Sequence, residues 1–117
     1  MKKNTWKEMN NLDSAAHSAN NASGIYAIGV KDEIEGLPTK FEWVYVGQSK
    51  NLGRRLKEHL PQNEKNYQLR NWLIKNINKL VVMFTFLSED ELDEKEKYYI
   101  ESLNPVHNTI YNRVKLS

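Results

Sequence analysis

One carboxylate stands in the chain where an apolar side chain is expected. Leu92, Glu96, Tyr99 and Leu103 follow one another at spacings of four, three and four residues, the period of one face of an α-helix. The face that packs on a core therefore includes Glu96. A buried carboxylate without a partner is costly, so Glu96 either holds a cation, in an ion pair or a metal site, or is turned to solvent by rotation of the helix.

A second pair of chemically active side chains is Arg55 and His59, which lie four residues apart beside a stripe of leucines. At this spacing both project from one face of a helix. The forked guanidinium of arginine binds phosphate through two hydrogen bonds, and a nearby imidazole can donate, accept or relay a proton at neutral pH. The same spacing also occurs on helix surfaces that are simply exposed.

Two tyrosines, Tyr26 and Tyr45, lie in segments that alternate with the period of a β-strand. In residues 24–30, Tyr26 and Ile28 share one face, and in residues 41–47, Trp43, Tyr45 and Gly47 share one face. A strand tyrosine usually packs in the core, but near a strand end its hydroxyl can also reach a shared pocket. Residues 31–40 are polar and contain glycine and proline, which predicts a long, mobile loop joining the strands as a hairpin.

The rest of the chain has the order helix, helix, strand, helix. Leu52, Leu56 and Leu60 recur every four residues in a first helix, and a second helix follows from about residue 66. Residues 80–87 form an apolar run typical of a strand in the middle of a sheet. Ser88 and Glu91 have the spacing of a capping box and open an acidic helix that ends near residue 103. We therefore expect an α+β fold, a small sheet packed by helices, preceded by a short appended helix within the first 23 residues.

The composition is that of one small globular domain. The 117 residues contain no cysteine, which excludes disulfides and thiolate metal sites, and 39% of them are hydrophobic. No run approaches the ~18 apolar residues of a membrane helix, and the first residues lack the apolar centre of a signal peptide. We therefore expect a cytoplasmic protein without a membrane segment.

The net charge of +2 conceals an uneven distribution. From Gln48 to Lys79 there are eight basic and two acidic residues, whereas from Ser88 to Glu101 there are seven acidic and two basic residues. A basic surface can displace the counterions of a phosphate backbone and so bind nucleic acid. Solvated helix faces are the alternative explanation of the same charges.

Five blocks of sequence together resemble the GIY-YIG nuclease superfamily. They are GIYAIG at residues 24–29, VYVGQS at residues 44–49, Arg55 with His59, Glu96 within EKYYI, and Asn108 within PVHN. The resemblance covers residues 24 to about 108. It implies a small domain with a three-stranded antiparallel sheet flanked by helices, which hydrolyses DNA with a divalent metal. We therefore expect an N-terminal extension, residues 1–23, and a nuclease domain, residues 24–117.

The resemblance also implies a role for each matched residue. Tyr26 is the candidate general base for the attacking water, while Tyr45 and His59 position water and relay protons. Arg55 neutralises charge on the scissile phosphate, and Glu96 is the lone carboxylate that holds Mg²⁺ or Mn²⁺ in a one-metal mechanism. The supporting residues are Gly24, Gly47 and Asn108, of which Asn108 holds the glutamate or the fold around it. The residues expected to contact DNA are Lys50, Arg54, Lys57, Arg70 and Lys75.

Two departures from the family pattern concern the hairpin and Gln48. The segment 31–42 makes the hairpin longer than is usual, so it is a candidate for substrate contact or assembly, and Gln48 stands where some members carry a lysine. The predicted domain leaves no room for a separate DNA-binding unit, so specificity would come from loops, a homodimer or a partner protein, or would not exist. The alternatives to a nuclease are a non-cleaving nucleic-acid-binding module or accessory subunit of the same fold, and a protein-interaction domain that uses the acidic helix.

Overall fold

The computed structural model describes residues 5–108, in which strands and helices are mixed along the chain. Residues 1–4 and 109–117, which belong to the two predicted units, lie outside this range. The elements are β1 (Lys7–Met9), α1 (Leu12–Ala19), β2 (Gly24–Ile34), β3 (Leu37–Ser49), α2 (Leu52–Glu58), α3 (Tyr67–Lys75), β4 (Leu80–Phe86) and α4 (Leu92–Leu103). Short 3₁₀ turns at Ile77–Lys79 and Glu89–Glu91 precede β4 and α4. The α+β class is confirmed.

Within residues 5–108 the sheet has four antiparallel strands in the order β1-β4-β2-β3, so the expectation of three strands is wrong. The additional strand, β1, comes from the segment predicted to be only a helical extension. Lys7 to Met9 pair with Phe84 to Val82 along the outer side of β4. This places β4 inside the sheet, as its continuous apolar sequence predicts, and leaves β3 as one edge.

The segment predicted to be a mobile loop is instead a continuation of the hairpin. Strands β2 and β3 remain paired out to Ile34 and Leu37, and only Glu35 and Gly36 form the turn. Both turn residues have positive φ angles, 50° and 86°. Positive φ angles at both positions are typical of the two-residue hairpin turn whose twist matches that of the flanking strands. Pro38 is tolerated in this ribbon because β3 is an edge strand.

A β-bulge between β2 and β3 corrects the predicted faces of β3. The register shifts between Ile28 and Gly29, which pair with Tyr45 and Trp43 and leave Val44 as the additional residue. Val44 and Tyr45 therefore both pack with the core on the side of Tyr26, while Trp43 packs on the opposite side of the sheet. Trp43 and Tyr45 do not share a face, contrary to the simple alternation.

Two clusters of apolar side chains cover the two faces of the sheet. The larger cluster joins α1, α2 and α3 to the sheet through buried residues that include Leu12, Ala16, Leu56 and Leu73. Helix α1 is thus packed in the core and not appended to it, while the predicted boundary between residues 23 and 24 stays a prediction. The smaller cluster packs α4 on the other face through Leu92. Among residues 5–108, no helix has the length and apolar character needed to span a membrane.

Candidate active site

The centre of the site is Tyr26, whose ring lies across the facing strand at Gly47. Tyr26 pairs with Gly47 in the register of β2 and β3 and is fully buried. A methyl group added at Gly47 would overlap the hydroxyl end of the Tyr26 ring. The glycine of the VYVG block is therefore explained by the space that the Tyr26 ring occupies. Gly24, at the start of the same strand, has a similar restriction because a methyl group there would overlap the backbone oxygen of Thr85.

Replacement of Gly47 with alanine is expected to lower both stability and the activity proposed below. The added methyl group must displace a buried ring that cannot move freely, and such overpacking costs about 1–3 kcal/mol. Thermal unfolding and DNA cleavage would measure the two effects. Gly36→Ala is a useful control, because strain at a positive φ angle costs about 1 kcal/mol at the hairpin turn. A Gly47→Ala protein with the wild-type melting temperature and cleavage rate would refute this packing argument.

The rings of Tyr26, Tyr45 and His59 pack together, and we call the site that they form with Arg55 and Glu96 the pocket. Tyr26 and Tyr45 are stacked with ring centroids 6.0 Å apart, and the His59 ring lies 5.3 Å from Tyr26 and 5.2 Å from Tyr45. The two tyrosines are diagonal neighbours on the paired strands, and His59 ends helix α2, which packs on that face. The structure thus brings together three of the predicted site residues, although they are separated by up to 33 positions in the chain.

His59 is held by hydrogen bonds on both ring nitrogens. The Tyr26 hydroxyl lies 2.6 Å from Nε2, and Oε2 of Glu64 lies 2.5 Å from Nδ1. Burial lowers the pKa of His59, although the hydrogen bond to Glu64 opposes this effect. Burial alone would raise the pKa of Glu64, but its hydrogen bonds with His59 and the backbone of Asn66 outweigh burial and lower the pKa. At neutral pH the pair is therefore a neutral imidazole and an ionised carboxylate.

Arg55, which is partly exposed, brings a positive charge to the pocket. Burial by itself lowers the pKa of Arg55, but interactions with Tyr26 and Tyr45 outweigh burial and raise it, so the guanidinium remains charged. One guanidinium nitrogen lies 3.0 Å from a carboxylate oxygen of Glu58 on the same helix. Because that ion pair is at the surface, a phosphate can replace Glu58 at little cost.

Glu96 lies on α4 at the other side of the pocket and is half-buried. The side chain of Gln48, next to Gly47, places its amide nitrogen 2.6 Å from Asp93 and 3.5 Å from Glu96. Burial raises the pKa of Tyr26 well above 10, and the charge of Glu96 adds to this increase. Glu96 is thus close enough to act electrostatically on Tyr26, and it shares the side-chain amide of Gln48 with Asp93.

Asn108 supports the site through the backbone of the edge strand. Its side-chain oxygen accepts a hydrogen bond from the N–H of Val46 at 2.6 Å, and its amide nitrogen donates to the Val46 carbonyl at 2.8 Å. Val46 lies between Tyr45 and Gly47, so Asn108 fixes the strand at the point where both contribute to the pocket. These bonds also satisfy backbone groups on the open edge of the sheet.

The five basic residues expected to contact DNA lie on two regions of the surface. Lys50, Arg54 and Lys57 are exposed at or near α2, the helix that carries Arg55. Lys50 and Arg54 have acidic neighbours at 4.0 Å, Glu89 and Glu58 respectively. Arg70 and Lys75 lie on α3, where Arg70 is placed over the ring of Tyr67 at 4.7 Å. Of these two groups, only Lys50, Arg54 and Lys57 lie at or near the helix that contributes Arg55 to the pocket.

Comparison with known proteins gives the family. The sequence model of the GIY-YIG catalytic domain matches residues 22–112. The chain belongs to the GIY-YIG family. Its match covers every block on which the resemblance rests and begins close to the start of β2. A comparison with curated proteins found no match.

Three solved structures are similar in fold to this GIY-YIG chain. All are variants of the GIY-YIG N-terminal endonuclease domain of UvrC from Thermotoga maritima bound to its catalytic divalent cation. Two carry a tyrosine-to-phenylalanine change, and one carries an asparagine-to-alanine change. Each has a TM-score of 0.54 and covers 81% of this chain and 91% of the other, at 18% or 19% identity. At this identity the similarity establishes the fold.

Two polar residues of this GIY-YIG pocket are missing from the sequence-based set. Glu64 contacts His59, and Asp93 shares the Gln48 amide with Glu96. Asp93 is three positions before Glu96, so helical spacing could have indicated it. Glu64 follows His59 by five positions across a proline-containing turn, and no periodic pattern connects the two. Only the three-dimensional structure shows this contact.

Proposed function

We propose that the chain is a divalent-metal-dependent DNA endonuclease that hydrolyses phosphodiester bonds by a one-metal mechanism. The main support is that Tyr26, Tyr45, Arg55 and His59 lie together in one pocket. The charge of Glu96 acts electrostatically on Tyr26 in the same pocket. Proton-transfer groups, a phosphate-binding cation and an oxygen ligand for a metal are the groups that phosphodiester hydrolysis requires. The UvrC domains of similar fold, which are bound to a catalytic divalent cation, support the same proposal.

Glu96 has the chemistry to hold a hard divalent cation. Across residues 5–108, no three His, Cys, Asp or Glu side chains come together as a complete metal cage. Mg²⁺ commonly keeps several waters and is held by one or two carboxylates and the phosphates of the substrate. Glu96, with Asp93 near it, therefore fits Mg²⁺ or Mn²⁺. Such an ion, when bound, supplies Lewis-acid stabilisation of the charge on the phosphate and on the leaving oxygen.

The side chains of the pocket bind the phosphate and move a proton. Arg55 neutralises the scissile phosphate as the water oxygen bonds to phosphorus and the bond from phosphorus to the 3′ oxygen breaks. Tyr26, the base expected from the sequence, is fully buried, whereas Tyr45 is half-buried and interacts with both Arg55 and Tyr26. We therefore place Tyr45 at the attacking water. Tyr45 takes the water proton and passes its own to Tyr26, and Tyr26 passes its own to Nε2 of His59.

Metal removal is the first test of this function. The purified protein is expected to cut supercoiled plasmid and branched DNA with Mg²⁺ or Mn²⁺ and to lose all cutting in EDTA, because the Lewis acid that stabilises the charge on the phosphate and on the leaving oxygen is then absent. Gel analysis of the products would measure cleavage, and an RNA substrate tested in parallel would show whether DNA is preferred. Restoration of cutting when the metal is added back would exclude damage by EDTA.

The alternatives give different results in the same experiment. DNA binding that weakens steeply with salt, with no cleavage under any metal, would support a non-cleaving nucleic-acid-binding module. Neither binding nor cleavage would support a protein-interaction domain. A homodimer or a partner protein remains our proposal for the source of specificity and of cuts in both strands, and a cytoplasmic location stays a prediction.

A further inference from the structure

Glu64 is a buried acidic residue for which the proposed chemistry has no role so far. It lies between α2 and α3, and only 9% of its surface is exposed. One carboxylate oxygen lies 2.5 Å from Nδ1 of His59, and the other accepts the backbone N–H of Asn66 at 2.9 Å. A buried charge of this kind is costly unless its partners are well placed. Both oxygens of Glu64 have such a partner.

We propose that Glu64 is a positioning residue that holds His59 in the one tautomer able to accept the proton of Tyr26. This inference rests on the proposed function and extends it. An ionised carboxylate can only accept hydrogen bonds, so Nδ1 of His59 must carry the hydrogen that lies between the two groups. In a neutral imidazole, Nε2 then has a free electron pair, and this pair faces the Tyr26 hydroxyl at 2.6 Å.

The proton transfer has a simple balance. The Tyr26 O–H bond breaks, a bond forms between that proton and Nε2, and the oxygen of Tyr26 receives the proton that Tyr45 releases. His59 becomes an imidazolium with hydrogen on both nitrogens, and the carboxylate of Glu64 stabilises its charge. The proton leaves later by the reverse route when the product has gone. Without the carboxylate, His59 could carry its hydrogen on Nε2, and two donors would then face each other across the contact with Tyr26.

The same arrangement predicts how cleavage depends on pH. Because burial lowers the pKa of His59, the neutral form persists through neutral pH, and activity is expected to fall only as pH decreases through a value below 6.5. Glu64 opposes the effect of burial, so its loss moves this decrease to still lower pH. The charged and titratable groups that face His59 are Tyr26, Tyr45, Arg55, Glu58 and Glu64, and Glu64 in turn interacts with His107.

Nitrogen-15 NMR of the histidine rings in the metal-free protein tests the inference without any need for cleavage. We expect hydrogen on Nδ1 of His59 in the wild type, and a shift of hydrogen to Nε2 in Glu64→Gln. His59→Gln would assign the signal among the three histidines. Glu64→Asp, which keeps the carboxylate, should retain the wild-type tautomer, and it remains informative if Glu64→Gln does not fold. A His59 signal that is the same in wild type and Glu64→Gln would overturn the inference.

Cleavage kinetics then separate positioning from a purely structural role. Glu64→Gln is expected to lower kcat by up to about 10⁴-fold, the effect of losing the orienting carboxylate in a serine protease triad, with little change in the Kd for DNA. Glu101→Gln, an exposed change of the same type on α4, should cleave like the wild type. Adding Glu64→Gln to His59→Gln should cause no further loss of kcat, because Glu64 acts through His59. An additive loss would overturn the inference, whereas absence of cleavage in the wild type would overturn the proposed function and leave the NMR result to decide.

Discussion

The Glu96→Gln protein is expected to bind DNA and to cut it at least about 10³-fold more slowly than the wild type. The amide keeps the size of the side chain but removes the negative charge that, in the proposed function, holds a divalent cation. A metal at a phosphoryl centre contributes several kcal/mol, and about 4 kcal/mol corresponds to a factor of ~10³ in rate. Single-turnover cleavage of plasmid at saturating protein would measure the rate, and calorimetric titration would measure the loss of Mg²⁺ affinity.

Two controls make the Glu96 result specific. Glu94→Gln, an exposed change of the same charge on the same helix, should retain cleavage and metal affinity. Thermal unfolding of Glu96→Gln should be measured beside the wild type, because Asp93 lies one turn away and removal of one of two like charges relieves the repulsion between them. Cleavage by Glu96→Gln within tenfold of the wild type would show that another group holds the metal. Asp93→Asn would then be the next variant to measure.

The sequence predicts most of the elements but only part of their arrangement. Strands β2, β3 and β4 and the helices follow from periods of two and about four residues, which report burial of one face. Strand β1 has only three residues, two of them exposed, so it shows no period. It is held by backbone hydrogen bonds to β4, which any sequence can make. The bulge at Val44 could not be predicted for a similar reason: one additional residue changes which side chains of β3 share a face without changing the composition of the strand.

In the site, too, residue spacing predicts which side chains share a face, but only the structure shows how deeply each one is buried. Arg55 lies in the last turn of α2 and His59 is the residue that caps its C-terminus, so their spacing correctly predicts a common face. The depth of each side chain is not contained in spacing. Tyr26 is fully buried and Tyr45 only partly, because the Tyr26 ring fills the space above Gly47 beneath helix α2. That difference in depth, rather than the motif, is what assigns the two tyrosines different positions in the proposed proton path.

Removal of the Tyr26 hydroxyl is therefore expected to stop proton transfer although the substrate does not touch it. Tyr26→Phe keeps the ring that packs against Gly47 and Tyr45 but breaks the path between Tyr45 and His59. Loss of a positioned proton acceptor typically costs about 10²- to 10⁴-fold in rate. The variant also leaves Nε2 of His59 buried without its partner, at a cost of about 1–3 kcal/mol in stability. Cleavage rates measured well below the melting temperature, together with thermal unfolding, would record both effects.

Comparison with the other tyrosines decides what the Tyr26 result means. Tyr45→Phe should lose a similar factor in kcat with a smaller loss of stability, because Tyr45 is only half-buried. Tyr67→Phe, at an exposed position on α3, should change neither. If Tyr26→Phe cuts at the wild-type rate while Tyr45→Phe is inactive, the proton does not pass inward, and the buried hydroxyl only packs the pocket. If both lose activity to the same extent and the double variant loses no more, the two hydroxyls act as one path.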